Sequence, residues 1–294
     1  MTRPSHLLTA ALFACMAGLW AAQVQAQSEQ SGPPNAGPST GQVSAPVSTS
    51  EISPICTDRP TKSNVPCTVD EGHWQYETDI FNVSIFRAAG TLTDTYLITN
   101  PTLKYGLSKS IDLEVNLSPY EIVRTRGADG AVTSLAGIGD LYLRAKDNVF
   151  TSRSGAFSVA LIPYLKAPTA RLGIGNGAVE GGEITSFSVR LTSALTLVTV
   201  PEIDVLKNAN GDGRHVNTVQ LVNLGYTFPH NLEVYAELWA DWNFDPTGVV
   251  QQASADVAVQ WGVTKYLQLD AGLNVGLNRA TPGLQPYVGV SQKF

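Results

Sequence analysis

The stretch that decides the fold runs from Tyr266 to Asn278 and has the sequence YLQLDAGLNVGLN, in which apolar and polar residues alternate without a break. Successive side chains of a β-strand point to opposite faces, so this period of two predicts one apolar and one polar face. The same alternation occurs at 111–118, 231–243 and 250–263, whereas no segment has an apolar stripe of comparable quality at helical spacing. We therefore predict that the chain from residue 73 onward is all-β.

Counting the alternating runs gives about twelve strands, each near the roughly 9–11 residues that a tilted strand needs to cross a membrane. Short turns alternate with longer connections, and both ends of the strand array fall on the short-turn side. This layout predicts a transmembrane antiparallel up-and-down β-barrel. The predicted strands are 73–86, 95–106, 110–122, 137–150, 155–167, 182–193, 195–206, 215–227, 231–243, 250–263, 265–278 and 284–294.

The composition supports a membrane barrel over other classes of protein. Only 15% of the 294 residues are charged, the formal net charge is −6 and the mean hydropathy is +0.00, whereas about 25% charged residues is usual for a soluble domain. Beyond the N-terminus the chain lacks the long apolar run of a membrane-spanning helix. Its acidic balance without basic clusters argues against a nucleic-acid partner. Lipid-facing strand positions that exclude charged residues would account for the low fraction of charged residues.

Aromatic residues distinguish a membrane barrel from a soluble sandwich or lipocalin-like barrel, in which the polar face would meet bulk water. Aromatic rings prefer the membrane–water boundary, so two belts are expected. Candidates occur at both ends of the predicted strands, which favours the membrane arrangement. They are Tyr105, Phe157, Tyr226, Phe228, Trp261, Tyr266 and Phe294 at the short-turn ends, and Phe86, Tyr96, Tyr120, Trp242 and Phe244 at the long-loop ends.

The N-terminal residues predict export from the cytoplasm. Residues 1–26 have a basic start, an apolar stretch and small residues before a cleavage site at Ala26, as in a signal peptide. A lipoprotein signal at Cys15 is the competing interpretation, which the apolar residues after this cysteine disfavour. Residues 27–50 are rich in Ser, Gly and Pro and are predicted to be a flexible linker. With a barrel at 73–294, these features predict the outer membrane of a Gram-negative bacterium, with membrane lipid as a partner.

The remaining segment, residues 51–72, carries two cysteines. Cys56 and Cys67 are 11 positions apart, and in an oxidising compartment this spacing predicts a disulfide that closes a small loop. A zinc site is disfavoured because no second Cys or His pair accompanies them at suitable spacing. The sequence leaves open whether this segment lies in the periplasm or enters the barrel.

Three motifs carry a family resemblance: TDRPT at 57–61 followed by EGHWQYE at 71–77, GIGDLYLRAK at 137–146, and YLKAPT at 164–169. They resemble an outer-membrane transporter family named for a meta-pathway of phenol degradation, and the resemblance covers residues 56–294. It implies an outer-membrane β-barrel that helps aromatic or other hydrophobic compounds to cross. The cysteine pair is not part of the family pattern. The resemblance places the first motif just before the first strand, so Asp58 and Arg59 are the expected plug if that motif enters the barrel.

Charged residues on the polar face of the strands are the main candidates for function. Basic residues come from the middle of the chain and acids dominate near the C-terminus, so opposed walls would create a transverse field that favours small polar or zwitterionic solutes. The alternative is that the charges pair and fill a narrow barrel, and the sequence leaves both open. The candidates for the lumen lining are Glu77, Asp79, Lys104, Asp112, Glu114, Asp140, Arg144, Lys146, Lys166, Arg190, Glu202, Asp204, Glu233, Glu237, Asp241, Asp256 and Asp270.

Two loop motifs are weak evidence for a ligand-binding site. Asn208, Asn210 and Asp212 resemble the start of a calcium loop, but its twelfth position is Val219, which cannot supply the bidentate acid. A surface turn is the better interpretation. The glycine-rich stretch at 173–177 lacks the strand and helix of a phosphate-binding loop. We therefore expect no metal and no cofactor.

The chain ends point to assembly rather than to catalysis. Phe294 ends the last predicted strand and resembles the signal for the barrel assembly machinery, although Gln292 occupies a position where an apolar residue is more usual.

Catalysis is not expected, because no serine neighbours His215, the histidine placed as in an outer-membrane lipase. The hypothesis is a channel or transporter for small molecules, with aromatic or hydrophobic compounds implied by the resemblance. The alternative is a non-conducting structural or ligand-binding barrel.

Overall fold

The computed structural model describes residues 52–294, so the predicted signal peptide and the linker at 27–50 lie outside the described residues. Between residues 52 and 294, no helix is long and apolar enough to cross a membrane. A three-residue 3-10 turn forms at Pro229–Asn231. The strand segments are β1 (Trp74–Ala88), β2 (Thr91–Leu97), β3 (Thr102–Gly106), β4 (Ile111–Leu117), β5 (Glu121–Arg126), β6 (Val132–Gly137), β7 (Leu141–Thr151), β8 (Phe157–Ala167), β9 (Glu180–Arg190), β10 (Leu195–Lys207), β11 (Arg214–Phe228), β12 (Leu232–Asn243), β13 (Val250–Gly262), β14 (Leu267–Gly276) and β15 (Leu284–Lys293).

The segments form one antiparallel sheet that closes on itself, because β15 pairs with both β14 and β1. Three barrel strands each consist of two segments, namely β2 with β3, β4 with β5, and β6 with β7. The closed barrel therefore has twelve strands, and the predicted fold is confirmed.

The three interrupted strands are neighbours, and their breaks lie side by side at 98–101, 118–120 and 138–140. Pro101 and Pro119 occur in the first two breaks, where a missing N–H cannot take part in a strand ladder. Beyond the breaks, β2, β5 and β6 continue as a small outer sheet. Within the described residues, β6 pairs with β5 on one side and with no strand on the other.

Two connections that we predicted to be long loops are short turns. The expected loop at 87–94 is a hairpin turn of Ala89 and Gly90, both at positive φ, between β1 and β2. The expected loop at 123–136 holds most of β5 and β6. Threonines and arginines interrupt the apolar alternation in these segments, so the period of two did not identify them as strands.

The barrel has an apolar outside and a polar inside. Leu238 on β12 is 61% exposed, and Ile203 and Val257 on the same outer face of their strands are also exposed. In contrast, Gln75 is 0% and Lys146 1% exposed, because their side chains point into the barrel. This distribution is the reverse of a soluble sandwich or lipocalin-like barrel and is the one expected of a barrel surrounded by lipid.

Aromatic pairs mark the short-turn rim. The ring centroids of Tyr226 and Phe228 are 4.7 Å apart, and those of Trp74 and Tyr105 are also 4.7 Å apart. Phe294 is exposed beside them at the end of the barrel. These positions agree with an interfacial belt at this rim.

An arginine in place of Leu238 tests whether the exposed apolar face meets lipid. We expect Leu238→Arg to lower the free energy of unfolding in lipid vesicles by about 2–4 kcal/mol, because this residue lies near the middle of β12. Leu172→Arg is the matched control, because Leu172 is 74% exposed but lies in the loop after β8. Equal losses of stability in the two variants, measured by urea titration, would contradict the membrane assignment.

Candidate functional site

The segment before the first strand lies inside the barrel. Residues 56–69, which we call the plug, make hydrogen bonds or ion pairs with β1, β3, β4, β7, β9, β12, β13 and β14. The plug is a loop whose two legs are joined by the Cys56–Cys67 disulfide, with the Cα atoms 6.4 Å apart. The predicted disulfide is therefore present, and the position that the sequence left open is inside the lumen.

Asp58 ties the plug to the basic wall of the lumen. Its carboxylate forms ion pairs with Lys104 on β3 and with Lys146 on β7, the latter at 2.7 Å. Lys104 also contacts Glu77 at 2.8 Å, and both lysines lie within 3.4 Å of Glu114. The two ammonium groups thus share a small set of carboxylates, of which only Asp58 belongs to the plug.

Arg59 ties the plug to an acidic part of the wall, on β1 and β14. Its guanidinium contacts Asp79 on β1 at 2.7 Å and Asp270 on β14 at 2.7 Å. Both aspartates are in register with Gly289 of β15, which lies between them. A Cβ atom at Gly289 would lie 2.0 Å from an Arg59 nitrogen. A side chain there would occupy the position of the guanidinium, so the glycine allows Arg59 to bridge the three strands.

Lys62 makes the third charged attachment. Its ammonium donates to Ser254 at 2.6 Å and pairs with Asp256 at 2.8 Å, both on β13. Its backbone N–H donates to the Glu237 carboxylate at 3.1 Å. The ammonium also lies 4.6 Å from the centre of the Trp239 ring, a distance suited to a cation–π contact. Lys62 was not among the residues predicted from the sequence, although it is the third charged residue of the segment that holds Asp58 and Arg59.

Contacts that use no charged side chain of the plug complete the attachment around the lumen. Ser186 on β9 donates to the Asn64 carbonyl at 2.5 Å, Asn148 on β7 donates to the Pro66 carbonyl at 2.8 Å, and the Val69 N–H donates to Asp112 on β4 at 3.0 Å. Below them, Lys293 pairs with Asp70 at 2.8 Å at the short-turn rim.

Each charged residue of the plug contacts wall residues of the opposite sign. Asp58 faces the lysines of β3 and β7, whereas Arg59 and Lys62 face acids of β1, β13 and β14. The sequence predicted opposed basic and acidic walls with either a transverse field or internal pairing. The described contacts are internal pairing of two sorts, within the wall, as between Lys166 and Glu180, and between the wall and the plug, which supplies charges of the opposite sign.

The charges of the plug are fixed by their partners. Burial alone would raise the pKa of Asp58, but Lys104 and Lys146 outweigh this effect and hold the pKa below its ordinary value. Burial alone would lower the pKa of Arg59, but Asp270 and Asp79 raise it. The contribution of Asp58 to docking is therefore present above the ordinary pKa of an aspartate and is lost only as the pH falls through the lowered value.

An apolar area, which we call the luminal patch, covers part of the inner wall. It consists of Ile162, Ile184, Val198, Val200 and Leu221 on β8 to β11, with Tyr164 and Trp239 packed against it. These residues face inward, because Ile184 lies on the same face of β9 as Ser186, which contacts the plug, and Val200 on the same face of β10 as the buried Asp204. Val198 and the plug residue Val65 line one cavity of about 190 Å³, so the plug lies beside the patch.

The other candidates for the lumen lining occupy several separate places. Lys166 pairs with Glu180 at 2.6 Å and with Asp140 at 3.3 Å near the long-loop side. Arg190 is exposed at the short-turn end of β9 and does not lie in the lumen. On β10 to β12, Glu202 lies on the same face as Asp204, Asn217 donates to Asp204 and Asp241, and Glu233 accepts from Thr227 and Tyr235.

The loop with the calcium-like motif forms a turn. Asn210 accepts the backbone N–H of Asp212 at 3.0 Å, and the Asn208 amide donates to the Asp212 carbonyl at 2.5 Å. These contacts are typical of an Asx-type turn. In the part of the chain that the structure describes, no group of three or more His, Cys, Asp or Glu side chains could hold a metal ion.

A closed twelve-stranded barrel with an apolar outside and a polar, plugged lumen defines a transmembrane β-barrel of the outer-membrane type. The family model described as "Putative MetA-pathway of phenol degradation" matches residues 57–294. The chain belongs to this family, as the motifs at 57–61, 137–146 and 164–169 predicted.

Solved structures agree with the fold. An outer membrane channel from Pseudomonas putida F1 superposes with a TM-score of 0.65 at 15% identity, over 80% of this chain and 100% of that chain. The β domain of the Bordetella autotransporter BrkA matches with a TM-score of 0.50 at 16% identity, over 76% of this chain and 100% of that chain. Comparison with curated proteins gives no match.

The Asp58 contacts predict how firmly the plug is held. Asp58→Asn removes the carboxylate that the two lysines share, and losing one partner of a buried ion pair costs about 3–5 kcal/mol. Glu77 and Glu114 still compensate the lysines, so the loss of free energy should be below this range. We expect amide hydrogen exchange in the plug to become at least about tenfold faster. Asp129→Asn, in the exposed turn between β5 and β6, is the control. Equal exchange in both variants would show that Asp58 does not hold the plug.

Proposed function

We propose that this chain is an outer-membrane channel that helps small molecules with an apolar body to cross, aromatic or other hydrophobic compounds among them, and that the plug closes it at rest. The luminal patch is the observation that carries this proposal. A barrel that passed only ions would gain nothing from five inward-facing aliphatic side chains, whereas an apolar solute is stabilised by about 25 cal/mol per Å² of apolar surface buried.

Passage requires that the plug moves. Its three charged side chains reach different walls, so partial withdrawal leaves buried charges without partners, which is costly. The Cys56–Cys67 disulfide joins the two legs of the plug, so we expect the plug to move as one unit. The channel is therefore closed in the ground state and opens rarely or on a stimulus.

Several observations support the outer membrane as the location. The structure from Pseudomonas putida F1 that has the same fold is described as an outer membrane channel. The predicted signal peptide, with cleavage near Ala26, would deliver the chain to the periplasm. The last strand ends with Phe294 beside Trp74, and this end is the proposed contact with the barrel assembly machinery. Membrane lipid is the partner of the outer face.

The alternative is a non-conducting barrel with a structural or ligand-binding role. The charged attachments favour it, since they hold the plug on opposite sides of the lumen. The two functions differ in what happens when one attachment is loosened. A channel then conducts, whereas a barrel whose interior is filled for stability loses stability without conducting.

Gly289→Ala loosens one attachment without removing any charge. The new Cβ atom would displace the Arg59 guanidinium from its place between Asp79 and Asp270. We expect the wild type to show rare conductance steps in planar bilayers and Gly289→Ala to show them at least several times more often. Gly283→Ala is the matched control, because a Cβ atom there has only the Ile85 carbonyl within 4 Å, at 3.9 Å. A Gly289→Ala barrel that folds but never conducts would support the non-conducting alternative.

A polar substitution in the luminal patch tests the substrate class. Leu221 is 2% exposed at the centre of the patch, and Leu221→Asn would reduce the gain from burying an apolar solute there. In the Gly289→Ala background we expect toluene entry into vesicles with an outer leaflet of lipopolysaccharide, which slows unaided passage of apolar solutes, to fall by about threefold or more, while the conductance of small ions is unchanged. Equal falls in both would indicate a general blockage of the pore, and no fall in toluene entry would exclude the patch from its path.

A further inference from the structure

A second cavity lies on the long-loop side of the barrel, beneath the small outer sheet. Its volume is about 440 Å³, within the range of roughly 300–1,000 Å³ that is usual for small-molecule sites. Leu97, Tyr142 and Ile174 give it an apolar surface, and Asn100, Ser118 and Arg144 contribute polar groups. None of its lining residues belongs to the plug or to the luminal patch.

Two hydrogen-bond donors at this cavity lack acceptors. The Arg144 Nε and the Ser118 Oγ are buried, and neither has a hydrogen-bond partner within residues 52–294. Buried polar groups are almost always hydrogen-bonded, so each exception needs an explanation. Neither atom has exposed surface in this conformation, so a ligand with oxygen acceptors would satisfy them only when the two side chains turn toward the cavity.

Arg144 also carries a charge that its neighbours barely neutralise. Its nearest carboxylate is Glu114, 3.9 Å from one guanidinium nitrogen. Glu114 lies closer to Lys146 at 3.3 Å and to Lys104 at 3.4 Å. Arg144 thus differs from Lys104, Lys146 and Lys166, which have carboxylates within 2.8 Å.

The residues of the cavity place a charged end beside an apolar surface. Strand register sets Glu114 opposite Arg144 and Asn116 opposite Tyr142 on the neighbouring strands, and Ser118 follows on the same face of the chain. The Arg144 guanidinium lies 5.8 Å from the centre of the Tyr142 ring. A molecule bound here would have its anionic group at Arg144 and its body along Tyr142 and Ile174.

We propose that this cavity binds a small monocarboxylic acid with a compact apolar body, such as a single-ring acid. The carboxylate pairs with the partly exposed Arg144 guanidinium, the body packs on Leu97, Tyr142 and Ile174, and an acceptor substituent reaches Ser118. The proposal names a substrate class for the proposed channel and rests on that function for its purpose, but the binding can be measured without transport. Arg144 also lines a cavity beside the plug residues Asp58 and Lys62, so the bound acid lies next to the plug.

The acids at the cavity favour one carboxylate over two. Asp140 is held by Lys166 at 3.3 Å and by the Ala170 N–H at 3.0 Å, and Glu121 also lines the cavity. A second carboxylate on the ligand would face these two like charges, which disfavours it. A hydroxyl substituent could instead donate to Glu121.

Calorimetric titration of the folded full-length protein in detergent with benzoate tests the proposal. We expect benzoate to bind at one site, and benzamide and phthalate to bind at least about tenfold more weakly. Arg144→Gln should weaken benzoate binding by at least about tenfold, because it removes a hydrogen bond to a charged group. Arg190→Gln is the matched control, because it removes the same charge from an exposed position on the rim.

A second variant protects the test against misfolding. Ile174→Ser lies in the loop between β8 and β9, outside the strands, and should also weaken benzoate binding because it removes apolar contact. Equal binding of benzoate and benzamide, or unchanged benzoate affinity in both Arg144→Gln and Ile174→Ser, would overturn the proposal. Failure of Gly289→Ala to conduct would instead count against the channel and leave this binding result intact.

Discussion

The interior of this barrel depends on the pairing of buried charges between the plug and two walls of opposite sign. A charge removed from water is tolerated only when it is paired and hydrogen-bonded. Lys104 and Lys146 lie on β3 and β7, whereas Asp79, Asp256 and Asp270 lie on β1, β13 and β14. The lysines also pair with wall carboxylates such as Glu77 and Glu114, whereas the cations that contact the three aspartates come from the plug. The aspartates therefore need a separate segment that supplies positive charge.

The plug supplies this positive charge. The lumen therefore has two chemically different parts, one lined by ion pairs and one lined by apolar side chains. The plug's charged residues engage the two walls, while the luminal patch on β8 to β11 has no charge to offer and lies beside the plug. A solute with an apolar body can use the patch without competing for the ion pairs. In the proposed channel, closure and solute contact would therefore rely on different residues, such as Asp256 on β13 for closure and Leu221 on β11 for contact.

Much of the fold could be predicted from the sequence, because each strand needs only a period of two to reveal its faces. The twelve-stranded barrel followed from segments such as 266–278, and the buried charges Lys104, Glu114 and Asp270 followed from their polar faces. The interruptions at Pro101 and Pro119 were missed, since polar residues obscure the alternation of the outer sheet there.

The site was predictable only in part, because alternation shows that a residue points inward but not what lies across the lumen. Asp58 and Arg59 were candidates through a motif, whereas Lys62 and its partner Trp239 were not. The luminal patch was hidden for a related reason. Ile184 and Val200 were not among the candidates for the lumen lining, because those candidates were the charged residues on the polar faces of the strands.

The position of Arg59 has a consequence for the order in which the protein folds. Its partners Asp79 and Asp270 belong to β1 and β14, on either side of β15, where the two ends of the sheet meet. Arg59 and Asp270 are 211 residues apart in the chain, and contacts of such separation form late because loop closure must come first. The plug can therefore complete the ion pairs of Arg59 only when β1, β14 and β15 have come together, and these ion pairs then fasten the seam.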